Sequence, residues 1–257
     1  MAKRDQSFEG ITQKFSRNIY ATNKGRLRLA VLERDLQAWL PQPGNAAKLR
    51  VLDVGGGLGQ LSMLFAQAGC EVTHTDISAE IVGEAQALHE QHGLAQHYTY
   101  HVAPLQGLPE LLQQRYDIVL CHAVLEWLVD PQQALVTLKQ LMHANGRLSL
   151  MFYNRDAKIL ANIIFGNFDY VQADLTVKKT VRMSPQQPIN PNDMRQWLEA
   201  LQLKVTQRTG VRCFHDYLRN RDDQKRFDEL LALELRYNQQ SPFVDIGRYL
   251  HWQIEHA

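Results

Sequence analysis

Residues 49–68 constrain this chain more than any other stretch. An apolar run from Leu49 to Val54, with Asp53 near its end, meets Gly55-Gly-Gly-Leu-Gly59 and leads into Gln60-Leu-Ser-Met-Leu-Phe-Ala66. Buried strand, glycine turn and helix in that order form the first unit of a nucleotide-binding α/β fold. A backbone without Cβ turns tightly and lets a ligand lie against bare peptide N–H groups. Gly55, Gly57 and Gly59 make G-x-G-x-G, whereas the dinucleotide fingerprint wants its third glycine at position 60, which is Gln60. The loop therefore points to an adenosine-type ligand without a pyrophosphate, with S-adenosylmethionine the leading candidate, and disfavours NAD.

The segments that follow alternate. A helix is expected over 59–68, closed by Gly69, then a strand over Glu71–Thr75 ended by Asp76. Ser78 is placed to cap a helix from Ala79 to about His92, with Gly93 as its stop. Strands are expected over His97–Val102, Tyr116–Cys121 and Arg147–Tyr153, the last preceded by an Asn145-Gly146 turn. Asp130-Pro131 opens a helix running to about Met142. Upstream, Leu27, Ala30, Val31, Leu32, Leu36 and Leu40 recur at helical spacing until Pro41.

After Tyr153 the rhythm breaks: 154–190 hold no clear strand–helix pair. A short helix (Asn192–Ala200), a strand (Leu203–Arg208), a longer helix (Arg221–Asn238) and a last strand (Val244–Ile254) are expected. The reading is a Rossmann-like, doubly wound α/β domain with a mainly parallel seven-stranded sheet and a substrate-recognition insertion after the fifth strand. It divides one domain, 1–257, into an N-terminal helical segment (1–48), a cofactor-binding core (49–153) and an insertion lobe with the final strands and helices (154–257).

Composition excludes more than it specifies. A formal net charge of +1 gives no global field toward nucleic acid or membrane, so basic residues must act locally. Cys70, Cys121 and Cys213 are odd in number and far apart, as expected of reduced buried thiols in a cytoplasmic protein. The N-terminus is polar and no apolar run approaches membrane-spanning length.

Several residues fall at strand ends, where a doubly wound fold binds its ligand. Asp76, after the second strand, is placed to accept from both ribose hydroxyls, against a turn-capping role. Asp53 either orients the loop or accepts from the ammonium of a methionine moiety, against a solvated strand-end acid. Pro104 and Leu105 follow the third strand, where an adenine ring would lie; Pro104 has no N–H, so only the Leu105 N–H can serve a ring nitrogen. An ordinary turn is the alternative there. His122 ends the fourth strand at the expected reactive end of the ligand, against a structural histidine. Leu125 and Trp127 read as core packing.

The glycine loop, Asp76 and His122-Ala-Val-Leu-Glu-Trp-Leu-Val-Asp-Pro131 together resemble the class I S-adenosylmethionine-dependent methyltransferases. Longer words sharpen the resemblance. They are Phe15-Ser-Arg-Asn-Ile-Tyr20, Lys24-Gly25, Ser149-Leu-Met-Phe-Tyr-Asn154, Gly166-Asn-Phe-Asp-Tyr-Val-Gln172, Thr209-Gly-Val-Arg212, Phe214-His-Asp-Tyr-Leu-Arg219 and Gly247-Arg-Tyr249. These span nearly the whole chain and resemble the bacterial tRNA 5-carboxymethoxyuridine methyltransferases.

That resemblance implies methylation of the carboxylate on 5-carboxymethoxyuridine at the wobble position of tRNA, forming the methyl ester. It implies the anticodon stem-loop as partner and cofactor contacts by Arg28, Gly55, Gly56, Asp76, Pro104, Leu105 and His122. Arg28 is otherwise a solvated charge on the first helix; here its guanidinium would clamp the methionine carboxylate. The nucleophile is already anionic at neutral pH, so neither a general base nor a metal is expected and catalysis is positioning.

Arg17, Tyr20, Lys24, Arg212, His215 and Tyr217 are candidates for the substrate carboxylate, each against a surface or core role. Tyr153, Phe168 and Tyr170 are candidates for base stacking, against ordinary packing. Lys178, Lys179 and Arg182 are candidates for tRNA phosphates, against a solvated loop. A class I enzyme acting on a small carboxylic acid or other metabolite shares every cofactor residue and is the alternative. A binding protein without catalysis is a third reading, disfavoured by the intact loop, Asp76 and His122.

Overall fold

A computed structural model describes residues 22–42, 48–176 and 187–257. Arg17, Tyr20, Lys178, Lys179 and Arg182 lie outside the described residues. One seven-stranded sheet runs in the order β3-β2-β1-β4-β5-β7-β6. Its strands are β1 (Arg50–Val54), β2 (Glu71–Asp76), β3 (Tyr98–Val102), β4 (Tyr116–His122), β5 (Met142–Tyr153), β6 (Leu203–Val211) and β7 (Tyr249–His256). The first five in sequence pair in parallel, and β7 is antiparallel to both β5 and β6. The chain reverses its direction of growth between β1 and β4, and their carboxyl ends flank the crevice where such sheets bind ligands.

Alternate residues of the central strands point to opposite faces, so both must be apolar. Leu52, Val54, Val119, Cys121, Leu148 and Leu150 pack under the helices Leu108–Leu112, Pro131–Leu141 and Pro191–Ala200. Val51, Val72, Ile118 and Leu120 pack on the other face against Leu36, Met63, Phe65 and Ala66. The cap expected at Ser78 forms, its Oγ accepting from Ile81 N at 3.4 Å, and the helix expected from Asp130-Pro131 starts there, with Asp130 Oδ1 accepting from Gln133 N at 2.9 Å. All three cysteines are free and buried.

Several boundaries differ from expectation. The helix expected over 59–68 forms only at Ser62–Gln67, because Gly59 at φ 66° still belongs to the loop. β5 begins at Met142, and pairing with β4 jumps from Tyr116↔Met142 to Ile118↔Arg147. Asn145-Gly146 is thus a bulge within the strand, not a turn before it. The expected helix Arg221–Asn238 divides into a 3-10 turn, Arg221–Lys225, and a helix, Phe227–Tyr237, at Arg226, whose ψ of 57° is not helical. Val244 lies in a short helix, Phe243–Ile246, rather than in the last strand. Residues 154–176 fold into the helices Arg155–Ile164 and Phe168–Gln172. Only the small Ala157 and Ala161 are buried there, while Ile163, Ile164 and Phe168 stay exposed, so the buried face carries little apolar signal in the sequence.

The first described helix, Asn23–Leu36, becomes α1. It buries Leu27, Val31 and Leu32 against Met151, Val211, Phe227 and Leu230. Its polar anchor is Asp35, whose side chain is fully buried. Asp35 Oδ2 accepts from His251 Nδ1 at 2.7 Å, and Oδ1 accepts from Arg34 Nε at 2.8 Å and Gln239 Nε2 at 3.1 Å. Gln253 Nε2 donates to the Asp35 carbonyl at 2.7 Å, and Arg34 reaches the Leu235 carbonyl at 2.9 Å. Burial opposes ionisation of Asp35, yet the hydrogen bond and charge of His251, with Arg34, hold its carboxyl below the usual carboxylate range.

Replacing Asp35 with Ala strands His251 without its acceptor and should cost about 3 kcal/mol in urea unfolding. Because the native pKa is depressed, the wild-type contribution is complete above the ordinary carboxylate range and lost as pH falls through the native value. The gap between wild type and Asp35→Ala should therefore narrow on acidification; a gap independent of pH would contradict the assignment.

Candidate active site

The crevice between β1 and β4 opens into a cavity of about 260 Å³. Its floor is the glycine loop. A Cβ on Gly56 would lie 2.5 Å from Asp53 Oδ2 and 2.6 Å from His74 Cε1, so only glycine fits. Gly55, at φ 59°, brings its backbone against Val124. Gly56 N donates to the Thr75 carbonyl at 3.0 Å and Gly57 N to Asp76 Oδ2 at 3.2 Å, which fastens the loop to the end of β2. Asp53 is buried beneath the loop with His74 Nδ1 at 3.4 Å, in accord with a loop-orienting role, and also lines the cavity.

Asp76 accepts a second backbone bond, Ser78 N to Oδ1 at 3.0 Å. Each oxygen carries one N–H and keeps lone-pair capacity for a ligand. Burial raises the pKa of Asp76, and the Ser78 and Gly57 N–H groups offset this only in part. Beside Asp76 the wall turns apolar: Ile77, Ile81, Pro104, Leu105 and Leu128 line the cavity, and Pro104 and Leu105 sit where the sequence predicted.

His122 closes the end of β4. Its Nε2 lies 2.8 Å from Ser149 Oγ, which lies 2.8 Å from His251 Nε2, whose Nδ1 meets Asp35. A buried polar chain thus crosses β4, β5 and β7 to α1. Burial drives the pKa of His122 down to about 3, and the nearby His251 and Arg28 also disfavour its charge, so the imidazole is neutral at physiological pH. The Ser149 hydroxyl thus stands between the two imidazoles, and His251 Nδ1 faces Asp35. Contact with Ser149 occupies His122 Nε2 and leaves Nδ1 as the ring nitrogen without a partner in this chain of bonds. Ala123 follows at φ 58°, a left-handed conformation for a residue with Cβ, and its N–H donates to the Met151 carbonyl at 2.8 Å.

The roof comes from α1, which supplies Lys24, Gly25, Arg28, Leu29 and Leu32, and from Arg212 and Tyr249 at the ends of the segment joining β6 to β7. All seven residues expected to contact a cofactor line this one cavity: Arg28, Gly55, Gly56, Asp76, Pro104, Leu105 and His122. Of the residues proposed for the substrate carboxylate, Lys24 and Arg212 line it as well. His215 is buried beside Asp216, and the Tyr217 hydroxyl donates to the Ala157 and Ile246 carbonyls, so neither faces the cavity.

Tyr153 is not available for stacking: it is buried against Tyr249, with Arg248 and Lys158 over its ring. No described residue of 154–176 lines the cavity. Trp127, expected in the core, lines the cavity, whereas Leu125 is buried as expected. Tyr249, Ser149, His251 and Asp35 had no functional reading; the bonds that join the last three span 102 and 216 positions. No local periodicity reports such pairs.

Comparison with known proteins agrees with this geometry. The methyltransferase domain family matches residues 52–150. The tRNA 5-carboxymethoxyuridine methyltransferases of Escherichia coli O157:H7 and K12 are each 42% identical over 248 residues, covering 96% of this chain and 95% of theirs. A ubiquinone biosynthesis O-methyltransferase of Coxiella burnetii is 33% identical over 63% of this chain and 66% of its own. Among solved structures, magnesium protoporphyrin IX methyltransferase (ChlM) of Synechocystis PCC 6803 with bound SAH superposes with a TM-score of 0.65 at 20% identity, covering 97% and 96% of the two chains. That likeness is one of fold. Near-full-length identity with the Escherichia coli enzymes, on a sheet and cavity of this form, decides the family: the chain belongs to the tRNA 5-carboxymethoxyuridine methyltransferases.

Proposed function

We propose that this protein methylates the carboxylate of 5-carboxymethoxyuridine at the wobble position of tRNA, with S-adenosylmethionine as methyl donor. The observation that carries the proposal is the convergence of the glycine loop, Asp76, His122 and Arg28 on one cavity in a chain 42% identical to enzymes of that name.

The residues present fit the cofactor. Gly56, lacking a Cβ, lets the loop settle onto Asp53 and His74 with its backbone in the cavity floor, and Asp76 has spare lone pairs for ribose hydroxyls. Ile77, Ile81, Pro104 and Leu105 offer an apolar slot for adenine, and Arg28 would take the methionine carboxylate. When bound, S-adenosylmethionine supplies an electrophilic methyl carbon on a sulfonium. His122, kept neutral by burial, places no competing cation near that sulfur. The substrate carboxylate attacks without losing a proton, so the side chains hold it in line and exclude water. No residue needs to act as a base.

For tRNA, the supporting feature is the helix pair after β5. Phe165 and Phe168 are 59% and 58% exposed, and Lys158 lies over the rings of both Tyr153 and Tyr170. A lysine over Tyr170 and two exposed phenylalanines on one short helix pair suit an unpaired anticodon loop. Lys178, Lys179 and Arg182 follow in sequence and would meet phosphates. This segment is thus proposed as the tRNA-facing lobe, and the cytoplasm, where tRNA is found, as the site of action. Among the described residues no helix is long and apolar enough to cross a membrane.

Asp76→Asn should weaken S-adenosylmethionine binding about tenfold to a hundredfold by calorimetry, the loss of a charge-assisted pair. Wild-type affinity should be level from about pH 6 to 8, since His122 does not titrate there. It should fall on acidification from above the ordinary carboxylate range, because the raised pKa makes Asp76 protonate early. An inflection near pH 6.5 absent from a His122 variant would contradict the neutral imidazole.

Neutralising Lys178, Lys179 and Arg182 together should raise the tRNA KM and flatten its salt dependence; unchanged kinetics would remove that cluster. Nucleoside mass spectrometry decides the reaction. tRNA from cells lacking the protein should lack the methyl ester, and purified enzyme with S-adenosylmethionine should restore it. An unchanged profile would move methylation of a small acid to first place.

A further inference from the structure

Among the described residues, three side-chain cations line the cavity: Lys24, Arg28 and Arg212. They are not equivalent. The Lys24 side chain is 51% exposed, whereas that of Arg212 is 13% exposed and fixed at both ends. Its Nε donates to Asp216 Oδ2 at 2.7 Å and its Nη2 to Asp216 Oδ1 at 2.5 Å, a two-pronged pair. Its backbone sits at φ 63°, a left-handed conformation that residues with a Cβ rarely adopt.

The neighbouring backbone is clamped to hold that conformation. Glu234, buried on the helix Phe227–Tyr237, accepts from Cys213 N at 2.6 Å and Phe214 N at 3.3 Å. Arg248 N donates to the Arg212 carbonyl at 3.3 Å. Arg212 is therefore presented to the cavity by an ion pair on one side and a fixed turn on the other.

The pair with Asp216 uses two of the three guanidinium nitrogens. Nη1 makes no hydrogen bond among the described residues. The guanidinium carbon lies 5.8 Å from the centre of the Tyr249 ring, which lines the same cavity, and the Tyr249 hydroxyl likewise makes no hydrogen bond among the described residues. Burial raises the pKa of Tyr249, so its phenol keeps its proton at neutral pH. Two side chains with a donor to spare, one a guanidinium and one a phenol, thus line the same cavity, with the guanidinium carbon close to the phenol ring.

Resting on the carboxylate-methylating reading above, we infer that Arg212 Nη1 and the Tyr249 hydroxyl form the subsite that holds one oxygen of the substrate carboxylate. Asp216 already matches the charge of Arg212, so the subsite supplies direction without a full unmatched cation. A free cation there would bind the carboxylate tightly and draw off the electron density with which it attacks. Anchoring one oxygen leaves the other free to face the methyl carbon. Arg28, on α1, remains for the methionine carboxylate, and the two anions are held by separate arginines.

The test uses two anticodon stem-loops of one sequence, carrying 5-carboxymethoxyuridine or plain uridine at the wobble position, titrated by fluorescence anisotropy into full-length protein saturated with S-adenosylhomocysteine. Wild type should prefer the carboxymethoxy loop about tenfold or more. Arg212→Gln should lose most of that preference while its affinity for S-adenosylhomocysteine stays within about threefold of wild type, a value that also reports folding. Tyr249→Phe should lose part of it. If Arg212→Gln does not fold, Arg212→Lys decides, since it keeps the charge and removes the fork; it too should lose preference with cofactor affinity kept.

Retained preference in the folded Arg212 variant overturns the subsite. So does a selective loss of S-adenosylhomocysteine affinity, which would assign Arg212 to the cofactor. Wild type that methylates the carboxymethoxy loop while the variant keeps its preference defeats the subsite alone. Wild type that leaves that loop unmethylated defeats the functional reading and the subsite with it.

Discussion

The structure depends on a buried run of hydrogen bonds from Asp35 through His251 and Ser149 to His122. These four side chains come from α1, β7, β5 and β4, and each is held by partners it cannot exchange for water. A polar chain in an apolar interior has little freedom, because an unpaired member loses hydration without compensation. Together with the apolar contacts of Leu27, Val31 and Leu32 it sets the position of α1 on the sheet. It also ends at the cavity, where it determines which nitrogen of His122 is left for a ligand. The same bonds that fasten the helix prepare the site, and Lys24 and Arg28 are delivered over the cavity as a consequence.

Electrostatic moderation runs through the site. His122 is buried until it is neutral, and Arg212 is matched by Asp216 before any ligand arrives. Burial opposes the charge on Asp216, yet His215, Arg212 and Lys24 hold its carboxyl well below the usual range. Methyl transfer between a cationic sulfonium and an anionic carboxylate needs little acid–base chemistry and much geometry. A strong unmatched charge near either reactant would stabilise the ground state. The cavity provides donors and acceptors whose charges are largely spoken for, on residues whose backbones are pinned at Ala123 and Arg212 in conformations that side chains rarely adopt.

Much of this was legible in the chain. The apolar run before Gly55, the cap at Ser78 and the helix start at Asp130-Pro131 are local signals, and each formed as read. Pro104, Leu105, Asp76 and His122 fell into place because parallel strands bring their carboxyl ends to one edge. Arg28 came only through resemblance, since on its own helix it is one charge among several. Trp127 was misread because a large aromatic after a strand is apolar whether it fills the core or lines a cavity. Residues 154–176 hid two helices whose large apolar side chains are mostly exposed and whose buried residues are alanines, and the start of β5 was hidden by a bulge at Asn145-Gly146.

By itself the sequence determined the α/β class, the strand that carries the glycine loop, and the strand-end residues around it. These follow from periodicity and backbone sterics over a few neighbouring positions. Only the tertiary structure decided which residues roof the cavity, because Arg212, Tyr249 and α1 reach it through contacts between distant segments. It alone decided that His122 is joined to Asp35, and that Arg212 faces the cavity with its charge already matched. Burial and long-range hydrogen bonding set those properties, and both are sums over neighbours that the linear chain does not adjoin.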